Sequence, residues 1–428
     1  MFRIRERKST ARTEIVGGVT TFVAMAYIIV VNPAILAAAG IPRGASTVAT
    51  ILTAVVGTLL MGLYANRPIA VAPYMGENAF IAFGLAAFGI TWQQRLGAVF
   101  LSGIVFLIIT LLGVRRWLAA AVSPSMKHSF AAGIGLFLTF IGLFEAGIVK
   151  GAEAVPVQLG DIRSPTVLLA ILGFIIMAAL LHRRVPGAIL IGIAVTALLG
   201  ALLGHGKVPD HVMALPFTGQ YSLAPIAFQL EVVSILKVSL LPILLTLFLM
   251  SFLDTLGTLV ALDATTGDPG DLQKPMIVDA LACTFSGLVG TSTSGAYIES
   301  STGIREGART GLAAVVTATL FALSLFFIPL LEPLQTLQYA YAPALLIVGM
   351  LMLGAVTKID FDDLTELVPA FATVVVMVFT FNIANGLTAG LLLYPIMKIL
   401  AGRARELRAG TLVLAALCAV YYIFGLPH

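Results

Sequence analysis

Long apolar runs alternate with short polar punctuation along the whole chain. No Asp, Glu, Lys or Arg occurs between Ile15 and Pro42, Gly44 and Asn66, Leu96 and Val114, or Val238 and Leu253. Each run is about the length a helix needs to cross a hydrocarbon core ~30 Å thick at ~1.5 Å per residue. Further apolar runs lie near 128–148, 165–182, 186–204, 275–290, 309–330, 340–356, 366–382 and 384–401. Two more, near 72–84 and 295–304, are short and rich in Gly, Ser, Thr and Pro. The pattern predicts an all-α polytopic membrane protein of about fourteen transmembrane elements. A last run, Thr411–Phe424, is too short to assign: spanning, re-entrant and interfacial placements all fit it.

Composition supports this. Apolar residues make up 59% of 428, and only 11% are charged, against about 25% in a soluble domain. Mean hydropathy is +1.03. A soluble fold of this size could not hide so much apolar surface, whereas a bilayer is itself an apolar solvent. No soluble domain fits between the runs, so residues 1–428 read as one membrane domain.

Charge sets the expected orientation. The N-terminus carries Arg3, Arg5, Arg7, Lys8 and Arg12 and leads straight into a long span, with no cleavable signal pattern. These residues are expected to stay in the cytoplasm. Counting spans from there, Arg67, Arg115–Arg116, Arg183–Arg184, Lys274, Arg305–Arg309, Lys358 and Arg403–Arg408 fall on the same side. The segments 149–163 and 205–236 fall outside. The net charge of +4 follows from this bias and does not point to nucleic acid. The two cysteines, Cys283 and Cys418, lie in apolar runs, so neither a disulfide framework nor a metal site is expected, and no cofactor is implied.

The two halves resemble each other. Each has a short Gly-interrupted segment at its third position: Pro68–Phe80 in the first and Gly290–Ser300 in the second. Seven elements per half would give the second half inverted topology, with repeats at 13–204 and 233–402 and a cytoplasmic terminal segment at 403–428. Paired interrupted segments point to a transporter's midplane site, because unwound backbone at that depth is tolerated only where it lines a cavity or is buried in protein.

Glu77 and Asn78 lie in the first interrupted segment, Asp254 deep in the run 233–262, and Glu299 in the second segment. An ionisable side chain in the membrane costs at least about 2.5–3.5 kcal/mol, which makes function the default reading. Structural alternatives exist. Asp254 could cap backbone or pair with Lys127 or Lys237, Glu299 with Arg305 or Arg309, Glu77 could serve only a helix N-terminus, and Asn78 could be a backbone cap. Asp279, Glu145, Lys127 and His128 read as loop or structural groups. Thr258 and Ser294 add hydroxyls, and Tyr27, Phe80 or Tyr297 could offer a stacking surface. Neither interrupted segment contains Lys or Arg. Paired carboxylates want hydrogen-bond donors, which a flat heterocycle with several N–H groups supplies. A metal ion or an organic cation would fit the residue types equally well.

At these residues the chain resembles the AzgA-like purine permeases, within the nucleobase:cation symporters typified by uracil permease. The resemblance rests on Thr13–Leu36, Phe252–Val260, Gly290–Leu312, Ala342–Met352 and Val368–Ala372, in order along nearly the whole chain. It implies fourteen elements as two inverted seven-span repeats, divided into a core domain and a gate domain. Short strands precede half-helices in elements 3 and 10. It further implies proton symport of a purine base, with Na⁺ as the other coupling ion open, an elevator-like motion and a homodimer. The family's substrate residues fall on Asn78, Asp254 and Glu299; of these, one of the two carboxylates, Asp254 or Glu299, is the candidate to take the coupled proton. The chain departs from the family at Glu77, where an apolar residue is common. Two rivals are an anion carrier on the same fold, disfavoured by the lack of basic residues in both segments, and a membrane-embedded enzyme. The enzyme would need clustered catalytic groups, and the five histidines are dispersed.

Overall fold

The computed structural model describes residues 2–206, 209, 211–237, 240–266 and 271–424. Eighteen helices follow in order: α1 (Ala11–Met25), α2 (Ile28–Leu36), α3 (Arg43–Leu63), α4 (Met75–Ala79), α5 (Trp92–Leu111), α6 (Arg115–Ala121), α7 (Pro124–Glu145), α8 (Pro165–His182) and α9 (Ala188–Leu202). After the outer loop come α10 (Leu241–Thr266), α11 (Gln273–Val289), α12 (Ser300–Arg305), α13 (Gly311–Ser324), α14 (Ile328–Leu331), α15 (Gln338–Leu353), α16 (Leu364–Phe379), α17 (Ile383–Leu400) and α18 (Ala409–Phe424). Four three-residue strands complete the set: β1 (Val71–Pro73), β2 (Val149–Gly151), β3 (Val157–Leu159) and β4 (Ser294–Ala296).

Among the described residues nine helices are long and apolar enough to cross a membrane, the first being α1 and α2 taken as one broken span. The helices α9, α11 and α16 and the two strand-plus-half-helix units, β1–α4 and β4–α12, supply the remaining elements expected from the apolar runs. The long helices start where sequence chemistry demands. Thr91 and Gln94 form a reciprocal capping box at α5, and Ser123 caps α7 with Pro124 in its first turn.

The helices sort into two packed groups. α1, α2, α3 and α5 pack with α10, α11, α12 and α13, whereas α7, α8 and α9 pack with α15, α16 and α17. Glycines set the closest approaches in the first group. A methyl group added at Gly303 would lie 2.2 Å from the Gly17 carbonyl oxygen, and one at Gly311 would lie 1.9 Å from that of Gly62. Small residues let membrane helices approach this closely and gain dispersion contact that lipid cannot better.

The undecided run Thr411–Phe424 forms most of α18. At ~1.5 Å per residue this helix is ~24 Å long. It runs antiparallel to α17: Tyr422 Oη donates to Asn385 O near the start of α17, 3.1 Å away, while Thr411 Oγ1 donates to Ala121 O at 2.6 Å. α18 therefore docks along α6 and α17 and also touches α10. Within the terminal segment expected over 403–428, α18 runs from Ala409 to Phe424, and 425–428 lies outside the described residues.

Where α16 begins and α17 ends, a charge network closes the second group. Arg403 Nη1 donates to Asp363 Oδ2 at 2.6 Å, and Lys398 Nζ lies 3.1 Å from carboxylate oxygens of both Glu366 and Glu406. Asp363 also caps α16, accepting from Thr365 N at 2.9 Å and Thr365 Oγ1 at 2.7 Å. The Thr365 hydroxyl and the Arg403 guanidinium hold the Asp363 carboxyl well below the usual carboxylate range. A lowered folded-state value means that this stabilisation is complete above the ordinary range near pH ~4 and is lost as pH falls through the lowered value. Asp363→Ala is expected to cost about 1 kcal/mol, the usual effect of losing a helix cap. The gap in melting temperature from wild type should be constant from neutral pH down to the ordinary carboxylate range and shrink on further acidification. A pH-independent gap would contradict this assignment.

Candidate functional site

The two interrupted segments meet. β1 and β4 pair antiparallel, with Val71 opposite Ala296, Ala72 opposite Gly295 and Pro73 opposite Ser294. A two-stranded ribbon leaves unpaired backbone groups on both edges, which at membrane depth must find partners. Thr58 of α3 serves one edge, lying 2.9 Å from Val71 N and 3.1 Å from Val71 O. Asp279 of α11 serves the other, accepting from Ala296 N at 2.9 Å. The ribbon continues past its formal ends through Tyr74 N to Thr293 O and Tyr297 N to Ala70 O, both 2.9 Å. Asp279, expected as a loop or structural group, is fully buried and does this backbone work.

Behind each strand the chain turns into a half-helix, α4 or α12. The first is prolonged by a π-turn over Phe80–Gly84. Its last carbonyls would point into apolar surroundings, and buried Arg95 of α5 answers them, donating to Ile81 O at 2.8 Å, Ala82 O at 2.9 Å and Ile90 O at 3.3 Å.

The structure brings Glu77, Asp254 and Glu299 to this crossing. Glu299 is half-buried at the start of α12 and accepts from Tyr27 Oη at 2.8 Å. Tyr27 sits at the break between α1 and α2 and is only 1% exposed. Neither Arg305 nor Arg309 pairs with Glu299. Arg309 Nη1 instead reaches Ile304 O at 2.5 Å and Ala308 O at 2.7 Å. Asp254, in the middle of α10, is half-buried and makes no hydrogen bond or ion pair among the described residues. It lies close enough to Glu299 and Glu77 for their charges to interact. Thr258 follows one turn later on the same face of α10 and is also half-buried. Glu77, in α4, is fully buried, and neither of its oxygens has a partner.

Asn78 belongs to an amide–hydroxyl hub around Asn32. Thr50 Oγ1 donates to Ser46 O at 2.7 Å, so it can only accept from Asn32 Nδ2, 2.7 Å away. That fixes the Asn32 amide with Nδ2 also toward Thr291 Oγ1 at 2.9 Å and Oδ1 toward Asn78 Nδ2 at 2.8 Å and Ser292 Oγ at 3.3 Å. Asn78 must therefore present its nitrogen to Asn32, and its Oδ1 is left buried without a partner. The unfilled capacity of Asn78 is an acceptor.

The remaining candidates are more enclosed. Ser294 Oγ lies 2.7 Å from Ser286 Oγ. Tyr297 donates to Pro73 O, and its ring lies parallel to that of Tyr74, 6.4 Å between centroids. Tyr74 in turn shares a 2.8 Å hydrogen bond with Thr255 of α10. Phe80 is fully buried against Gly84. Asn32 was missed in the sequence, although a lone amide inside the apolar run of α2 is the signal that marks it. Tyr27 was read only as a ring, and its hydroxyl does the work.

The site thus offers two half-buried carboxylates, several buried acceptors and aromatic hydroxyls, with no ion pair to any of its acids among the described residues. This suits a ligand rich in N–H donors.

A model described as a permease family, Xan_ur_permease, matches residues 12–388 of the chain. A putative permease of Methanocaldococcus jannaschii is 44% identical over 99% of this chain and 97% of its own length. The adenine permease AdeP of Escherichia coli is 38% identical over 100% and 96%, and the guanine/hypoxanthine permease PbuO of Bacillus subtilis is 38% identical over 97% and 98%. Among solved structures, the transmembrane domain of the cyanobacterial bicarbonate transporter BicA superposes with a TM-score of 0.65 at 17% identity, covering 87% of this chain and 97% of that one. This last likeness confirms the transporter fold with its inverted repeats.

Proposed function

The chain belongs to this permease family and is a multi-pass membrane transporter rather than an enzyme, and from that premise we propose that it imports purine nucleobases by proton symport. The observation that carries the proposal is the pair of half-buried carboxylates, Asp254 and Glu299, facing one crossing with no cation partnered to either among the described residues. Ring N–H or amino groups of a base supply the missing donors. Hydrogen bonds to a charged group contribute about 1.5–3 kcal/mol each, enough for selective binding.

In this reading Asp254 and Glu299 accept from the base, Tyr27 orients Glu299, and Asn78 Oδ1 accepts a further N–H. Thr258, Ser294, Phe80 and Tyr297 shape the surroundings. A proton is taken up within the carboxylate cluster in each cycle. The group built on α1–α5 and α10–α13 is the core domain, which moves against a gate built on α7–α9 and α15–α17 in an elevator-like step. The repeats cover 13–204 and 233–402, the N-terminus faces the cytoplasm, and two copies associate through the gate. The printed names of AdeP and PbuO, adenine and guanine/hypoxanthine permeases, support the purine class. BicA, a bicarbonate transporter by name, favours an anion as the second reading. An anion would have to sit between two carboxylates, which electrostatics opposes.

The test is uptake of labelled hypoxanthine in cells stripped of their own purine carriers. Unlabelled adenine, guanine, xanthine, uracil, sulfate and bicarbonate serve as competitors, with and without a protonophore. Purines are expected to compete and the protonophore to abolish accumulation. Competition by sulfate or bicarbonate without any by purines would replace this reading with the anion one.

A further inference from the structure

Glu77 differs from the other two acids of the site in one physical respect. Asp254 and Glu299 are half-buried, and Glu299 has a hydrogen-bond donor. Glu77 is 0% exposed, and both carboxyl oxygens are inaccessible to solvent and receive no hydrogen bond from another residue. A charged carboxylate without donors or a countercharge is among the most costly groups to bury. Arg95 reaches the same segment, but it is held on the carbonyls of Ile81, Ala82 and Ile90.

Neighbouring elements leave Glu77 no solvent-accessible surface. Ile134 of α7 packs directly on Gly76, one residue before it. From α2, Asn32 meets α4 at Asn78 rather than at Glu77. The π-turn that follows contains no ionisable group. The ionisable groups that act on Glu77, or on which it acts, are Asp254 of α10, Cys283 of α11, and Tyr74 and Tyr297 flanking the strands. None of these is a cation. An opening too small for water excludes a base from contact with Glu77, and it excludes a hydrated metal ion as well. A proton fits such an enclosure without displacing any of the packing around it.

We propose that Glu77 takes up and releases the coupled proton, leaving Asp254 and Glu299 free to hold the base; the inference rests on the proton-symport reading above. In the cycle an O–H bond forms on Glu77 when a proton arrives from water by way of half-buried Asp254. The same bond breaks when the site faces the other side, and the proton returns to water there. On the way in and out the proton is held transiently by an O–H bond on Asp254, and water donates it on one side and accepts it on the other. Charge on Glu77 beside Asp254, Glu299 and Asp279 places four carboxylates at one crossing. Protonation of Glu77 removes one of them and ties the proton to the loaded, moving state.

The experiment uses the purified full chain in liposomes and two assays with labelled hypoxanthine. One measures accumulation driven by an inside-alkaline pH gradient. The other measures exchange of external for internal base at equal pH, which needs no net proton movement. Glu77→Gln keeps the shape of a neutral carboxyl. It is expected to retain exchange while gradient-driven accumulation falls to simple equilibration. Accumulation by E77Q equal to wild type overturns the inference and leaves the purine reading intact. If wild type exchanges hypoxanthine but responds to a sodium gradient and not to pH, proton coupling fails and the inference with it. If wild type exchanges no purine, the substrate reading itself fails. Should E77Q not fold, infrared difference spectra between low and high pH are compared for wild type and Glu77→Asp. A protonated-carboxyl band that shifts in E77D supports the assignment, and identical spectra overturn it.

Discussion

Glu299→Gln is expected to lower the kcat/KM of purine uptake on the order of 100-fold while leaving the protein folded. The carboxylate sits at the start of α12, with Oε1 held by Tyr27 Oη at 2.8 Å. The substitution keeps a carbonyl that can still receive the Tyr27 proton, so the local structure survives. What changes is the other oxygen, which becomes an N–H₂ donor. A base that offers N–H groups then meets a donor where it needs an acceptor. Losing a charge-assisted hydrogen bond and leaving its partner unpaired costs about 2–3 kcal/mol, which is on the order of 100-fold. Initial rates of hypoxanthine uptake across a concentration series, with the melting temperature of the purified variant as control, decide the matter. Wild-type rates at every concentration would remove Glu299 from the substrate site. Glu299 touches the base in this scheme and Glu77 does not, so E299Q should impair exchange and accumulation together, unlike E77Q.

The second large effect concerns the packing that holds the crossing in place. Gly311→Leu is expected to yield no folded carrier. A methyl group at this position would lie 1.9 Å from Gly62 O and 2.9 Å from Gly62 Cα. Both are backbone atoms of α3, which cannot turn aside as a side chain can. Gly311 N also donates to Asn66 Oδ1 at 2.9 Å, so the start of α13 is pinned and cannot slide. Relief requires α3 and α13 to separate, and α3 carries Thr58, which satisfies the edge of β1. The cost exceeds about 4 kcal/mol, in the range reserved for gross overpacking or broken buried networks. Size-exclusion chromatography of the detergent-solubilised variant should show aggregate in place of a single peak. Gly354→Ala is the control. No atom lies within 4 Å of a methyl group added there, and its backbone is right-handed, so a normal elution profile is expected. A monodisperse Gly311→Leu protein of wild-type melting temperature would show that the two helices can part freely.

Much of the site was legible from charge placed against an apolar background. Glu77, Asp254 and Glu299 interrupt runs in which each costs several kcal/mol, and the two interrupted segments stood out by their Gly, Ser, Thr and Pro content. The roles were less legible. Glu299 could have paired with Arg305 or Arg309 by sequence spacing, and it pairs with Tyr27, 272 positions away. Asp279 read as a loop or structural group, and its structural role is to hold a strand. Asn78 could have been a backbone cap, yet it joins the hub on Asn32, whose fixed orientation leaves it with a free acceptor of its own.

Apolar run lengths and the placement of charge are enough to make the chain a polytopic membrane protein and to locate two broken elements in it. They suffice because the bilayer acts on each segment separately: transfer of an apolar run into hydrocarbon depends on that run alone. The tertiary structure alone decided that β1 pairs with β4, that Thr58 and Asp279 close the ribbon's edges, that Arg95 answers the end of the first half-helix and that α18 lies along α17. It also decided which acids stay within reach of a ligand and that Glu77 and Asp279 are sealed. These are pairings between segments far apart in the chain. A buried polar group is satisfied by whichever neighbour packing delivers, and no local pattern of hydrophobicity records that neighbour's identity.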